Sequence, residues 1–303
     1  MGKVPHLVQY QGSKRSLAPE IIRYFPKRIN RLIEPFSGTC AISILSAKEQ
    51  LCDSFIINDI NGPLIDLMET CVNDPQKLAF DYYDIWKGQF EEGEDHIKYF
   101  YKIRDEFNSG YQDPARMLFM LARVVKGSIR YNTQGVMNQS CDKRRFGTKP
   151  ELVQKNAFAI SDLLKGKTIF KKKDYRAVLE MAEEGDLIYM DPPYQGTSNK
   201  QNSRDNRYIQ GVDFDEFVKA LEELNRREID YIVSYDGMTG EKVIGKSLPD
   251  HLGLTHLLIH AGVSAQSTLN GKKEITYESL YLSNGLYKKC ETYEQLELKF
   301  GER

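Results

Sequence analysis

The stretch Asp186-Leu187-Ile188-Tyr189-Met190-Asp191-Pro192-Pro193-Tyr194 is a short apolar run that ends in a carboxylate, two prolines and an aromatic ring. The run predicts a buried β-strand. Two consecutive prolines fix φ and carry no N–H, so the chain must leave the sheet abruptly after Asp191. The Asp191 carboxylate and the Pro192 carbonyl then remain free hydrogen-bond acceptors. A turn that only closes a strand is the alternative.

Paired acceptors at a strand end suit an amine substrate. The exocyclic amino group of a nucleobase is a poor nucleophile because its lone pair is delocalised into the ring. Asp191 and the Pro192 carbonyl could hold its protons and localise that pair, while Tyr194 offers a ring face to a base swung out of the stack. The stretch therefore predicts methylation of a flipped base, with Asp191, Pro192, Pro193 and Tyr194 as catalytic residues.

Two earlier segments predict strands that end at polar residues. Residues 31–34 precede a turn at Gly38 and a helical pattern, so the backbone at Gly38 can approach a ligand closely. Residues 54–58 form a second apolar strand before Asp59, a position that holds ribose hydroxyls in nucleoside-binding α/β folds. A lone Asp at a strand end is more often a helix cap, but the distance of Asp59 from Gly38 favours a ribose ligand. Because Cys40 occupies the place of the second glycine in a G-x-G-x-x-G pattern, dinucleotide binding is disfavoured.

The helix-like segment from Asn73 to about Ala122 interrupts the alternation of strands and helices. It predicts amphipathic helices around a small core, whose members are Phe80, Tyr83, Trp86, Phe90, Phe100, Ile103, Phe107, Met117 and Leu121. The strand and helix pattern then resumes, and two apolar runs near the end bracket Asn270-Gly271, a strong hairpin signal. We expect an α/β fold with a mostly parallel sheet that ends in an antiparallel hairpin. Residues 1–72 and 152–303 would form one domain, interrupted by an inserted domain of residues 73–151.

The inserted segment is locally basic although the whole chain of 303 residues has a formal net charge of −1. Residues 123–149 carry one acid, Asp142, and the cations Arg123, Lys126, Arg130, Lys143, Arg144, Arg145 and Lys149. Asn and Gln side chains, which can recognise adenine, lie between Arg130 and Lys143, and the cations can neutralise phosphates. The clustering favours nucleic-acid binding over a solvated loop.

Composition narrows the class of protein. A hydrophobic content of 41% supports a sizeable core, and no apolar run reaches the length of a membrane span or forms a secretory leader. Five scattered cysteines without a C-x-x-C pair fit a reduced cytoplasm. His256 and His260 share one face of a predicted strand, but they lack a third ligand at suitable spacing, so no metal is expected.

Five blocks together resemble the Dam-type DNA adenine-N6 methyltransferases, and they occur in the same order. They are Tyr10-x-Gly12-x-Lys14, Glu34-Pro35-Phe36-x-Gly38, Asn58-Asp59-Ile60-Asn61, Arg130-Tyr131-Asn132 and Asp191-Pro192-Pro193-Tyr194. The resemblance implies a Rossmann-like methyltransferase fold with a seven-stranded sheet, and S-adenosylmethionine as the methyl donor. This chain departs from the family at Tyr10, where Trp is usual, and at Cys40, where a second glycine is usual.

The resemblance also implies roles for individual residues. The donor site would comprise Tyr10, Gly12, Lys14, Glu34, Phe36, Gly38, Asp59, Ile60 and Asp191. Residues 73–151 would form the DNA-recognition domain, and the residues that contact duplex DNA would be Arg130, Tyr131, Asn132, Lys143, Arg144 and Arg145. We expect a monomer that acts on double-stranded DNA, with a cognate restriction endonuclease as a candidate partner. Cytosine-N4 methylation, methylation of RNA or protein, and a catalytically inactive DNA-binding protein remain as alternatives.

Overall fold

A computed structural model of the protein describes residues 4–132, 134–193, 212–239, 242–244, 246–263 and 275–289. These residues contain eight strands that belong to one sheet. The strands are β1 (Arg31–Glu34), β2 (Phe55–Asn58), β3 (Thr168–Lys171), β4 (Asp186–Met190), β5 (Asp230–Thr239), β6 (Lys242–Ile244), β7 (Thr255–Val263) and β8 (Ile275–Leu282).

Seven of the strands form a continuous sheet in the order β3-β2-β1-β4-β5-β8-β7, and β6 pairs with β5. The pairings from β3 to β5 are parallel. The pairings of β8 with β5 and with β7 are antiparallel. The predicted α/β fold, with a mostly parallel seven-stranded sheet and antiparallel end strands, is therefore confirmed. Asn270-Gly271, the predicted turn before β8, lies outside the described residues.

Hydrophobic residues cover both faces of the sheet. Every residue of β2 and β4 is buried, as expected for parallel strands with helices on both sides. Successive residues contribute to different cores because strand side chains alternate between faces. Leu187 and Tyr189 belong to one core cluster, and Ile188 and Met190 belong to the other.

The described residues contain ten α-helices. They are α1 (Ala18–Ile21), α2 (Ala41–Lys48), α3 (Gly62–Asn73), α4 (Pro75–Gly88), α5 (His96–Asn108), α6 (Pro114–Arg123), α7 (Pro150–Leu164), α8 (Tyr175–Leu179), α9 (Phe214–Arg226) and α10 (Asn284–Lys289). Aspartates begin several of them: the side chains of Asp95, Asp113 and Asp213 each accept a backbone N–H in the first turn. None of the helices in the described part of the chain is long and apolar enough to cross a lipid bilayer.

Helices α4, α5 and α6 occupy the segment 73–151. Helix α4 packs against α3 and α7, α6 packs against α3 and α4, and α5 packs against α6. Phe100, Ile103 and Phe107 are buried as predicted, in the core cluster that also contains residues of the sheet. Phe80, Tyr83 and Phe90 are exposed instead, which corrects their predicted place in the core. On α4 the buried positions are Pro75, Leu78, Ala79 and Tyr82, so at 3.6 residues per turn Phe80 and Tyr83 fall outside that stripe. The division into domains stays a prediction.

Candidate active site

A cleft opens to solvent beside the carboxyl ends of β1, β2 and β4. In an open α/β sheet this edge is the usual place for a ligand. The residues at the ends of the three strands meet there because parallel strands share a direction. Predicted donor-site and catalytic residues that line the cleft are Tyr10, Gly12, Lys14, Glu34, Phe36, Gly38, Asp59, Ile60, Asp191, Pro192 and Pro193.

Lys14 is the central charge of the cleft. It belongs to a 3-10 turn, Lys14–Ser16, before α1, and only 9% of the residue is exposed. Its Nζ lies 3.0 Å from Asp191 Oδ1 and forms a second ion pair with Glu278 of β8. Burial opposes the charged form of Lys14, but the two carboxylates outweigh burial and raise its pKa above the ordinary value. The ammonium therefore stays protonated next to the strand end that carries Asp191.

The glycine turn after β1 is closed by Asp59. Gly38 adopts a φ of +50°, and its N–H donates to Asp59 Oδ2 over 3.1 Å. Asp59 Oδ1 accepts from the Asn61 N–H at 2.9 Å. The Tyr10 ring packs on the turn, because a Cβ added at Gly38 would lie 3.4 Å from Tyr10 Cε1. A backbone without a side chain, a carboxylate and a ring face thus meet at one point of the cleft.

Cys40 stands two residues after Gly38, at the position where a second glycine is usual in the Dam-type pattern. Its φ of 58° and ψ of 34° lie in the left-handed region, which costs a residue with a Cβ about 1–2 kcal/mol. The residue is fully buried, and its N–H donates to the Ser37 carbonyl over 2.8 Å. The turn therefore keeps its shape without the second glycine, and the cysteine side chain fills space in the core.

Glu34 lines the cleft at the end of β1. Its Oε1 accepts the Ser43 N–H at 2.8 Å and also the Ser43 hydroxyl. Burial raises the pKa of Glu34 to about 7, although the bonds from Ser43 act in the opposite direction and Asp191 adds to the rise. This carboxyl therefore changes its charge near neutral pH.

Glu34→Gln is expected to change how stability depends on pH. Between the ordinary pKa of Glu, near 4.5, and about 7, the folded wild type binds more protons than the unfolded chain, so its free energy of unfolding falls as pH rises. Glutamine keeps the acceptor for Ser43 but cannot ionise. Chemical denaturation without donor should find the variant more stable than wild type at pH 8 by about 3 kcal/mol, and nearly equal at pH 4. An equal difference at both pH values would contradict the assignment.

The predicted DNA-contact residues divide into two groups. Tyr131 is buried and lines the cleft, and its hydroxyl donates to Asn61 Oδ1 over 3.4 Å. Arg130 and Asn132 beside it are partly exposed, at an isolated antiparallel bridge between Tyr131 and Met137. Lys143, Arg144 and Arg145 are exposed and are not among the residues that line the cleft.

Asp142 holds the exposed basic turn together. The pairs Arg144 Nε–Oδ1 and Arg145 Nε–Oδ2 span 3.3 Å and 3.1 Å, while Asp142 Oδ1 also accepts the Arg144 N–H at 3.0 Å. These bonds lower the pKa of Asp142. Both guanidinium groups nevertheless remain accessible, because their side chains are 89% and 50% exposed.

The remaining sequence predictions concern Tyr194 and the two histidines of β7. Tyr194 lies outside the described residues. His256 stacks on Tyr281 with ring centroids 4.5 Å apart, and His260 contacts Tyr277 edge to face. The described part of the chain contains no group of three or more His, Cys, Asp or Glu side chains placed to hold a metal ion.

Sequence reasoning missed Glu278 and Ser43, which stand in no motif and bind the predicted site residues Lys14 and Glu34. It gave no individual role to Asn61, which belongs to the Asn58-Asp59-Ile60-Asn61 block and binds Asp59. A signal for Glu278 exists in β8, where it shares a strand face with Leu280 and Leu282. A lone acid at an otherwise buried face indicates a partner, but the sequence does not say which.

The sheet order and the cleft define the class of protein as a Rossmann-like methyltransferase, since the blocks of the Dam-type pattern meet at one edge of the sheet. Within that class the chain belongs to the D12 class N6 adenine-specific DNA methyltransferases, whose family model matches residues 10–293. The resemblance inferred from the sequence is thereby confirmed.

Three relatives are each 26–28% identical to this chain. The chain is 28% identical over 243 residues to a DNA N-6-adenine-methyltransferase of Escherichia phage P1, across 76% of this chain and 30% of that protein. It is 27% identical over 195 residues to the Type II methyltransferase M1.LlaDCHI of Lactococcus lactis subsp. cremoris, across 61% and 64%. It is 26% identical over 205 residues to a DNA adenine methylase of Serratia marcescens, across 67% and 71%. The chain thus spans less than two thirds of the length of the first two relatives.

Proposed function

We propose that this protein transfers a methyl group from S-adenosylmethionine to the N6 amine of an adenine flipped out of duplex DNA. The observation that carries the proposal is the position of Asp191, Pro192 and Pro193 in the same cleft as Gly38 and Asp59. Support also comes from the family and from relatives whose names specify adenine in DNA.

The residues of the cleft fit the proposed donor. Its glycine turn leaves the backbone open to close approach, Asp59 keeps lone pairs beyond its two backbone bonds for ribose hydroxyls, and the rings of Tyr10 and Phe36 offer apolar faces. Carboxylates at Glu34 and Asp191 suit a cationic ligand. We assign the donor to these residues together with Gly12, Lys14, Gly38 and Ile60.

Bound S-adenosylmethionine would supply an electrophilic methyl group on a sulfonium. The chain contributes two acceptors for the adenine amine, namely the Asp191 carboxylate and the Pro192 carbonyl, which Pro193 cannot engage because it has no N–H. Hydrogen bonding to them would localise the nitrogen lone pair. Asp191 and Pro192 would hold the amine so that a new nitrogen–carbon bond replaces the carbon–sulfur bond of the donor. The electron pair would leave on sulfur, and one amine proton would pass by way of the Asp191 carboxylate to solvent. We assign stacking on the flipped base to Tyr194.

The test of this function uses the purified chain, duplex DNA and donor labelled in the methyl group. Label should enter DNA rather than RNA or protein, and digestion to nucleosides should place it on adenine N6. Label on cytosine N4 would replace the proposed base. Failure to label DNA or to bind the donor by calorimetry would overturn the proposal.

We propose residues 73–151 as the DNA-recognition domain, with contacts from Arg130, Tyr131 and Asn132 near the cleft and from the exposed basic turn. The triple change Lys143→Ala, Arg144→Ala and Arg145→Ala should weaken duplex binding and lower the steepness of its salt dependence by about 2–3, since each lost phosphate contact contributes about 0.9. Fluorescence anisotropy across a salt series measures both. The control for loss of a surface cation is Lys219→Ala, at an exposed position of α9 outside residues 73–151. Equal salt slopes for the wild type and the triple variant would count against this surface.

The proposed substrate indicates the cell compartment in which the protein acts and its candidate partner. We propose that the protein acts as a monomer on cytoplasmic DNA of a bacterial or phage-infected cell. A cognate restriction endonuclease is a candidate partner, because the Lactococcus relative bears the name of a Type II methyltransferase.

A further inference from the structure

Glu278 is a charged residue of the cleft region to which the scheme above gives no role. It lies in β8, where it pairs with Gly237 of β5 and with Ile259 of β7. Strand β5 separates it from β4, which leads to Asp191. Its side chain is nevertheless only 13% exposed, and its carboxylate reaches the Lys14 ammonium.

The pairing of β5 with β8 explains how Glu278 can reach Lys14. The register between β5 and β8 shifts between Ser234 and Gly237, which is a β-bulge. The residue of β5 opposite Glu278 is the glycine at 237, which has no side chain to stand between the Glu278 carboxylate and the residues beyond β5. Tyr189 and Ser234 tie β4 to β5 just before the bulge, with 2.9 Å between their hydroxyl oxygens.

Two carboxylates and one ammonium form the resulting cluster. The side chains of Lys14, Asp191 and Glu278 are 10%, 19% and 13% exposed, so water screens the three charges only partly. Carboxylates in such surroundings are costly unless they are paired. Pairing with the Lys14 ammonium therefore offsets the cost of burying the Glu278 carboxylate.

We propose that Glu278 is a positioning residue: it holds the Lys14 ammonium against Asp191 and thereby fixes the carboxylate that receives the substrate amine. The effect on chemistry rests on the proposed function, because only that function makes Asp191 an acceptor for the amine. The ion-pair arrangement itself does not depend on it.

The proposal predicts a pH effect. Among the described residues, the titratable groups that act on Lys14 are Asp191 and Tyr189 from the β4 side and Glu278 from β8. Glutamine at 278 keeps an oxygen for Lys14 but removes one of the two carboxylates that offset burial. The pKa of Lys14 should then fall, so that part of the population carries a neutral amine in the alkaline range.

The experiment compares wild type, Glu278→Gln, Glu278→Ala, Lys14→Met and the double variant Lys14→Met/Glu278→Ala. Glu223→Gln, on the exposed surface of α9, is the control for loss of one negative charge. Single-turnover methyl transfer to duplex DNA is measured from pH 6.5 to 10, with thermal unfolding and DNA affinity measured in parallel. A readout without donor is the acylation rate of the Lys14 amine by an N-hydroxysuccinimide ester, resolved by peptide mass spectrometry.

We expect Glu278→Ala to lower the single-turnover rate about 10–100-fold with DNA affinity unchanged. In the Lys14→Met background the same change should add less than about threefold, because Glu278 acts through Lys14. Glu278→Gln should lose rate at lower pH than wild type, and its Lys14 should be acylated about tenfold faster. If Glu278→Ala does not fold, the Gln variant and its acylation rate decide.

Additive losses in the double variant would overturn the proposal. The proposal would also be overturned if Lys14 of Glu278→Gln were acylated at the wild-type rate and methyl transfer by this variant declined at the same alkaline pH as in wild type. A failure of the proposed function can be distinguished from a failure of the Glu278 proposal. If wild type labels no DNA while Lys14 acylation still depends on Glu278, the positioning contact stands and the reaction assigned to the cleft is wrong.

Discussion

Asp191→Ala is expected to lower the rate of methyl transfer to duplex DNA by about 10³-fold or more, while duplex affinity stays within about threefold of wild type. The carboxylate is partly exposed and lines the cleft beside the glycine turn. In the proposed reaction it is one of two acceptors for the amine, and it matters most when positive charge develops on nitrogen. Its removal should therefore lower the rate constant more than it changes substrate binding.

The fold should tolerate this change. Lys14 loses its 3.0 Å contact with Asp191 but keeps the ion pair with Glu278, so no unpaired cation remains beside the cleft. Pro192 and Pro193 still fix the path of the chain after β4. A thermal unfolding midpoint close to that of wild type is the expected companion result.

Single-turnover transfer of labelled methyl groups measures the effect without interference from product release. Asp213→Asn is a suitable control, since asparagine can also accept the N–H bond that Asp213 makes at the start of α9. Asp191→Asn adds a second comparison, because its amide keeps one acceptor oxygen but turns a donor toward the substrate. A wild-type rate in Asp191→Ala would remove Asp191 from the mechanism and with it the role assigned to the strand end.

Parts of the site that follow buried strands could be predicted from sequence. Glu34, Asp59 and Asp191 each stand at or just after a run of apolar residues that forms a strand, and parallel strands bring their carboxyl ends to one edge. Proline and glycine mark where the backbone must leave the sheet. The apolar residues Phe217, Val218, Leu221 and Leu224 repeat with helical spacing, and they are buried on one face of α9.

Other parts depend on contacts that no local pattern encodes. The pairing of Glu278 with Lys14 requires the β5–β8 register and its bulge. Tyr131 belongs to a basic segment in the sequence, yet its ring is buried in the wall of the cleft. The aromatic residues of α4 illustrate a third limit. Phe80 is as hydrophobic as a core residue, but the stripe set by Leu78, Ala79 and Tyr82 leaves it exposed.

Gly127→Ala is expected to lower the free energy of unfolding by about 3–5 kcal/mol and to weaken donor binding. Gly127 lies at the end of a 3-10 turn after α6, with a φ of +61°. A Cβ added there would lie 1.8 Å from the Gln9 carbonyl oxygen and 3.0 Å from Tyr10 Cα. Such distances are far below van der Waals contact, and the atoms concerned are backbone atoms, which cannot move aside as a flexible side chain can.

The close approach at Gly127 joins two distant parts of the chain. The Gln11 N–H donates to the Gly127 carbonyl over 3.3 Å, and the cleft residues Tyr10, Gly12 and Lys14 belong to the same N-terminal segment. A side chain at 127 would push that segment away from the residues that follow α6. Tyr10 would lose its packing on Gly38, and Lys14 would lose its alignment with Asp191, so stability and donor binding should fall together.

The comparison that isolates this contact is Gly253→Ala. Gly253 has a nearly equal φ of +64°, but an added Cβ would meet nothing within 4 Å. It should therefore show only the conformational cost of a left-handed alanine, about 1 kcal/mol. Chemical denaturation gives the free energy of unfolding, and calorimetry with S-adenosylmethionine gives donor affinity. If both variants lose the same stability and Gly127→Ala binds donor normally, the N-terminal segment is not held rigidly by Gly127, and the alignment of Lys14 must come from its ion pairs alone.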